Sequence, residues 1–239
     1  MQNSLSGTFQ GQFLIAMPSL LDPNFNHTVT CLGAHNDQGA MGVIINRLHH
    51  DIHLRDVFAE LKLACRDEIA DLPLYSGGPV HSNEIFILHG PPLKWQGSFD
   101  VSPQLALSNS IDLLAAIGEG RGPRDFLVTL GCAGWGPGQL EAEIRQNAWL
   151  TCPVSEDILF EMPVADRWEA AVKRLGIDPA LLSAKAGNAR VHAAGKGRTF
   201  SPVENEPWPE IITALFEFFM DRMPLWRGAG LTCGQSRGW

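Results

Sequence analysis

Apolar and polar positions first fall into a clear pattern at Gln12-Phe-Leu-Ile-Ala16, which predicts a buried strand closed by Met17-Pro18 and a turn around Asp22-Pro23. His27 to Leu32 predicts a second strand rich in β-branched residues. His35-Asn-Asp-Gln-Gly39 is turn chemistry and Met41 to Asn46 resumes the sheet, so the two runs form a hairpin and part of the sheet is antiparallel. Leu54, Val57, Phe58 and Leu61 follow helical spacing and predict a helix lying on that sheet. Leu74-Tyr75-Ser76 leads through Gly77-Gly78-Pro79-Val80 to the apolar run Glu84–His89. Ile111, Leu114 and Ile117 predict a helix capped by Asn109 or Ser110 and ended by Gly118. Phe126–Leu130 reads as a buried strand, Gly131 to Gly138 as a glycine-rich turn, and Gln139 to Asn147 as a helix with Leu140 and Ile144 on one face. Trp149–Cys152 predicts a further strand, and Trp168, Val172 and Leu175 mark a last helix stopped by Gly176.

Strands and helices interleave without a βαβ rhythm, which favours an α+β fold with a mixed, largely antiparallel sheet. The expected organisation is one domain over residues 1–189, a linker over 190–209 and a C-terminal extension over 210–239. In that extension Ile211, Ile212, Leu215, Phe216, Phe219, Met220 and Met223 fall on one helical stripe. Such a short amphipathic helix could dock on its own domain, join two copies into a homo-oligomer through residues 211–223, or lie on a membrane surface. The small positive charge of its polar face favours docking within the protein.

Composition narrows the setting. The 239 residues are 45% apolar and 18% charged, ordinary for a folded domain, and the formal net charge is −8. Residues 190–239 hold six basic and five acidic side chains, so residues 1–189 keep 12 basic against 21 acidic ones. That surface repels a phosphate backbone, and nucleic-acid binding is disfavoured. Five widely spaced cysteines contain no C-x-x-C, the N-terminus lacks a secretory signal, and no window approaches a membrane span, so a cytoplasmic protein is expected.

Candidate chemistry centres on glycine-rich segments. Cys132 follows a predicted strand and precedes a predicted helix, a setting that can lower a thiol pKa and make a reactive thiolate. As a buried small hydrophobe beside Trp135 it is inert, and that reading is favoured. Gly77-Gly78-Pro79 and Gly131 to Gly138 could present backbone N–H groups to an anion, although neither matches a Walker A or dinucleotide motif. Arg167-Trp168 reads either as a ligand clamp or as a helix packing Trp inward and Arg outward. His49, His50 and His53 with Asp51 read as a solvated loop with no third metal ligand placed by spacing. No catalytic triad, paired carboxylates or helix-turn-helix signature stands out.

Several segments together resemble the AlgH/YqgE family of small bacterial proteins. They include Gly11-Gln-Phe-Leu-Ile-Ala-Met-Pro18, Asp22-Pro23 with Phe25, His35-Asn36, and Gly39 to Asn46. Gly77-Gly-Pro-Val80, Phe86-Ile-Leu-His89, Gly131-Cys-Ala-Gly-Trp135 and Gly138-Gln-Leu-Glu141 continue the match. Asn147-Ala-Trp149, Ala165-Asp-Arg-Trp168 and Ala186-Gly-Asn-Ala189 complete it, over residues 10–189. The resemblance implies an α+β fold with a small barrel-like sheet flanked by helices, in a family often described as transcriptional regulators. Two departures stand out: Asn188 replaces the histidine of the family's common ending, and Cys132 stands where many members carry an aromatic residue.

The leading expectation is a binding or regulatory protein that acts without catalysis, through a protein partner or a small ligand, with no cofactor and no metal. Its expected ligand-binding residues are Gly77, Gly78, Pro79, Gly131, Cys132, Trp135 and Arg167. The alternatives are a thiol-dependent enzyme or redox sensor centred on Cys132, and a DNA-binding transcriptional regulator.

Overall fold

The computed structural model describes residues 8–182. The first half of the chain forms β1 (Gln12–Ala16), β2 (Val29–Asn36), β3 (Gly39–Ile44), α1 (Leu54–Glu60), α2 (Asp67–Ala70), β4 (Leu74–Ser76) and β5 (Val80–His89). The second half forms β6 (Ser98–Ser102), β7 (Leu105–Ser108), α3 (Ile111–Gly118), β8 (Phe126–Trp135), α4 (Gln139–Arg145), β9 (Trp149–Pro153) and α5 (Arg167–Arg174). The linker expected at 190–209 and the stripe at 211–223 lie outside the described residues.

The strands make one mixed sheet in the order β6-β7-β5-β8-β3-β2-β1-β9, with β4 paired beside β8. The pairing of β4 with β8 is parallel and the other ladders are antiparallel. Strand β8 is the spine. Its first part pairs with β5, and its last three residues, Ala133 to Trp135, pair with β3. Between them Gly131 sits at φ +74°, a bend that a side chain would resist.

The sheet curls until β2 packs against the β6–β7 hairpin. At Gly33 a Cβ would lie 2.9 Å from Leu107 and 3.5 Å from Phe99, so the missing side chain lets the barrel-like core close. Alternation along the strands sorts side chains by face. Phe13, Ile15, Val29, Cys31, Phe86 and Leu88 point inside, and α5 adds Trp168, Ala171 and Val172 to that cluster. Leu14, Ala16 and Leu32 point the other way and pack with Leu140 of α4. Ile87 and Val128 face outward under Val57, Phe58, Leu113 and Leu114 of α1 and α3.

Most predicted elements are present, and Ser110 caps α3 by accepting a hydrogen bond from the Leu113 N–H at 3.3 Å. Two expectations are corrected, and one hairpin is added. Strand β8 continues through Gly131–Trp135, because β3 and β5 supply ladder partners that outweigh the turn preference of glycine. The β6–β7 hairpin, with Val101, Leu105 and Leu107 in the core, belongs to a stretch for which the sequence pattern predicts no element. Arg167 and Trp168 both point inward, where a helix with Arg outward was one expectation. Among the described residues no helix is long and apolar enough to cross a membrane.

Candidate functional site

The two glycine segments singled out in the sequence meet, but as a closed crossing. Gly77 donates its N–H to the Leu130 carbonyl at 2.7 Å and accepts from Ile44 N–H at 2.8 Å, so its backbone polar groups are both engaged. A Cβ on Gly77 would lie 2.1 Å from the Gly131 carbonyl oxygen, and one on Gly78 would lie 2.3 Å from that of Cys132. The glycines allow two backbones to approach, and no anion-sized space separates them. Pro79, the next residue, is exposed.

Cys132 lies within β8, three strand residues before its end and well short of α4, so no helix N-terminus faces its sulfur. It is 2% exposed, and burial, with a smaller contribution from the Glu84 carboxylate, pushes its thiol up, the reverse of the shift a reactive thiolate requires. Burial likewise pushes Cys31 up to about 12.

Trp135 and Arg167 serve as internal ties. Glu143 Oε2 accepts the indole N–H of Trp135 at 3.0 Å and of Trp149 at 2.8 Å, while Oε1 accepts from Gln139 Nε2 at 2.9 Å. Phe25 packs on both indoles. Arg167 is 3% exposed; its guanidinium lies over the Tyr75 ring, 5.3 Å from the centroid, and donates to the carbonyls of Ile45 and Met162 and to the Tyr75 hydroxyl. Arg167 therefore clamps backbone from two sides of the barrel. His49 accepts at Nδ1 from the N–H groups of Asp51 and Ile52, which makes the histidine segment a turn. Among the described residues no group of three His, Cys, Asp or Glu side chains is gathered for a metal ion.

An open concavity lies on the other side of β5. Four residues, His81 to Glu84, stand opposite the single residue Gly131, between the pairs Val80–Cys132 and Ile85–Leu130. This excursion puts His81 at φ +50°, an uncommon conformation for a residue with a side chain, and joins its Nδ1 to Glu84 Oε1 at 3.0 Å. Beside it, between α1 and the start of α3, is a cleft of about 420 Å³. Small-molecule sites span roughly 300–1,000 Å³, so its size is adequate for one.

The cleft has a consistent chemistry. Val57 and Leu61 come from α1 and its end, Ile85 and Leu130 from the sheet, and Ile111 and Leu114 from α3. Asp56 and Glu60, one turn apart on α1, and Glu84 on the β5 excursion supply three carboxylates, and none of the lining residues is basic. Asp56 also accepts the His53 N–H at 2.8 Å, which fixes the start of α1. Asn83, Asn109 and Ser110 add polar edges. The α3 N-terminus contributes the equivalent of about +0.5 charge, too little to offset three carboxylates.

None of these lining residues is a ligand-binding candidate by sequence, where Val57, Leu61, Ile111 and Leu114 mark helix faces and Asn109 or Ser110 a helix cap. The available signal was Asp56 and Glu60 at i, i+4 beside the apolar Val57 and Leu61, on a helix whose polar face could equally have been bare solvent surface. Glu84 and Ser110 come from distant segments that only folding brings to the same rim.

The chain matches the AlgH-like family model (DUF179) over residues 13–180. A UPF0301 protein of Thioalkalivibrio sulfidiphilus is 48% identical over 184 residues, covering 77% of this chain and 98% of that relative. A UPF0301 protein of Pseudomonas aeruginosa is 45% identical over 191 residues, covering 79% of this chain and 100% of that relative. The solution structure of the AlgH protein from Pseudomonas aeruginosa superimposes with a TM-score of 0.64 at 43% identity, over 81% of this chain and 100% of that one. A Corynebacterium diphtheriae protein at 21% identity, TM-score 0.57, shares the fold. The chain belongs to the AlgH-like family of bacterial proteins.

Proposed function

We propose that the protein is a non-catalytic binding or regulatory module in the cytoplasm, and that it receives in the cleft between α1, β5 and α3 a ligand carrying a positive charge on an apolar body. The observation that carries this reading is the cleft's composition, an apolar floor rimmed by Asp56, Glu60 and Glu84 with no basic lining residue. Among the described residues Cys31, Cys65, Cys132 and Cys152 are free thiols, which fits a reducing compartment. The closed packing around Cys132 gives a thiol mechanism no support, and the acidic surface gives none to DNA binding.

Magnitudes divide the work between floor and rim. Each CH₂ buried on the floor is worth about 0.8 kcal/mol, so an alkyl chain supplies most of the affinity. An exposed charge pair contributes about 0.2–1 kcal/mol, so the three carboxylates together decide the sign of the ligand by roughly tenfold. Titration calorimetry with n-octylammonium and with octanoate tests this. The ammonium is expected to bind about tenfold more tightly, with the preference shrinking in salt and in the double variant Glu60→Gln/Glu84→Gln. Equal affinity for the two probes, or no binding of either, overturns the reading.

A further inference from the structure

On the sheet face that carries α1 and α3, the described helices leave a gap. Both pack over Ile87 and Val128 through Val57, Phe58, Leu113 and Leu114, while Ile85 and Leu130 form the floor of the open cleft beside them. Apolar surface continues up the walls: Leu61 and Ile111 are half-buried there, and Ile52, also in the lining, is 37% exposed. Such a sheet face is ordinarily covered by helices, each laying an apolar stripe on it, and the gap offers the same kind of surface to one more.

We infer that the cleft docks a basic amphipathic helix of a partner protein, with an apolar stripe on the floor and lysines or arginines at the carboxylate rim. The inference rests on the cleft being the binding site proposed above, and it names the occupant.

Charge complementarity selects this partner. Asp56 and Glu60 stand on α1 and Glu84 on the β5 excursion, so carboxylates reach the apolar floor from two separate elements, and no lining residue is basic. On α1 the first two are one turn apart, about 6 Å along the axis, so cations at i and i+4 of a partner helix match their spacing. Two of the three are already held in place: Asp56 accepts the His53 N–H at 2.8 Å, and Glu84 Oε1 meets His81 Nδ1 at 3.0 Å. Preorganised groups lose little freedom when a partner arrives. A helix carrying spaced cations meets all three carboxylates while its stripe covers Ile85 and Leu130, whereas a single small cation meets only part of the rim. An acidic helix of the same shape would bring like charges together on a desolvated surface, so the rim rejects it.

The test uses the full chain and a synthetic peptide of about 14 residues, ~21 Å as a helix, built from leucine, alanine and lysine. Its leucines fall on one stripe and its lysines lie beside that stripe at i and i+4. In titration calorimetry it is expected to bind about tenfold more tightly than a scrambled peptide of the same composition, and than its glutamate counterpart. Hydrogen exchange read by mass spectrometry should show the peptide protecting amides at the end of α1 and in residues 109–114. Glu60→Lys/Glu84→Lys should weaken binding about tenfold. Glu156→Lys/Glu161→Lys, an equal change of net charge at two exposed positions outside the cleft lining, should shift it less than about twofold. No binding of the striped peptide, equal affinity for the scrambled one, protection elsewhere than the cleft, or equal weakening by the two reversals overturns the inference. The comparison of striped and scrambled peptides needs no variant, so it decides even where a reversal unfolds the protein. If n-octylammonium still binds in preference to octanoate, the reading of the cleft survives that failure, with a small cation as its occupant. Protection of the cleft amides that grows with protein concentration in the absence of peptide also overturns the inference, since the occupant is then a second copy of the chain.

Discussion

The two flanks of the β5–β8 ladder are built from the same kind of material and behave in opposite ways. On one, Gly77 and Gly78 lie against Gly131 and Cys132 so closely that a methyl group has no room. On the other, the four-residue excursion His81–Glu84 opens a cleft floored by Ile85 and Leu130. Glycines drew attention to the first region because they permit unusual backbone, yet here the freedom is consumed by close packing. The second region has ordinary residue types, and the described residues leave its apolar surface open. A glycine-rich motif identifies where backbones meet, whereas a ligand site needs space left over.

The largest effect should come from the closed crossing. Gly78→Ala places a methyl group 2.3–2.6 Å from the backbone of Cys132 and Ala133 at φ +149°, and denaturant unfolding should show a loss of about 3 kcal/mol or more. Gly136→Ala, in the same glycine-rich stretch, meets nothing closer than 3.8 Å and should change stability by less than about 1 kcal/mol. Equal losses at the two positions would remove the distinction between a crossing and a turn.

Next is Glu143→Ala, which strips the indole N–H groups of Trp135 and Trp149 of their acceptor. A loss of about 2–3 kcal/mol is expected by the same measurement, with Gln retaining part of it. At the cleft, Glu60→Gln/Glu84→Gln should alter stability by less than about 0.5 kcal/mol while changing ligand preference, the signature of a surface that folding does not need. A large stability loss there would make the cleft part of the core.

Thiol labelling gives a sharper contrast at lower energy. Cys31 and Cys132 should resist alkylation in the native protein at pH 8 and react once it unfolds, because burial holds both thiols protonated. Rapid native labelling of Cys132 would reopen the crossing as a site. The smallest effect concerns His89, fully buried with Nδ1 on the Gly90 carbonyl and its pKa lowered by desolvation. The unfolded chain binds the proton more readily, so its contribution to stability is complete above about pH 6.5 and is lost as pH falls toward the folded value. Melting temperature should therefore decline below pH 6.5, and less steeply in His89→Gln; identical slopes would refute this assignment.

Sequence legibility followed the range of the forces involved. Helices α1, α3 and α5 were readable because their apolar spacing is local, and β1 and β9 because each is a short apolar run beside turn residues. The sequence pattern ends strand β8 at Leu130, since glycine's turn preference is visible in the chain and the partners that override it are not. Arg167 was ambiguous for a related reason. Its inward position depends on carbonyls of Ile45 and Met162, one of them far away in the chain, and only their arrangement satisfies a buried guanidinium.

Taken alone, the amino-acid order determined the α+β class, the family, the acidic surface and the absence of familiar catalytic motifs, because composition, periodicity and local motifs carry those properties. Tertiary structure decided which glycines close a crossing, which thiols are buried, and that Asp56, Glu60 and Glu84 share one apolar rim. Those outcomes depend on strand register and on the excursion opposite Gly131, where residues distant in the chain exclude water from one flank of a ladder and leave it on the other.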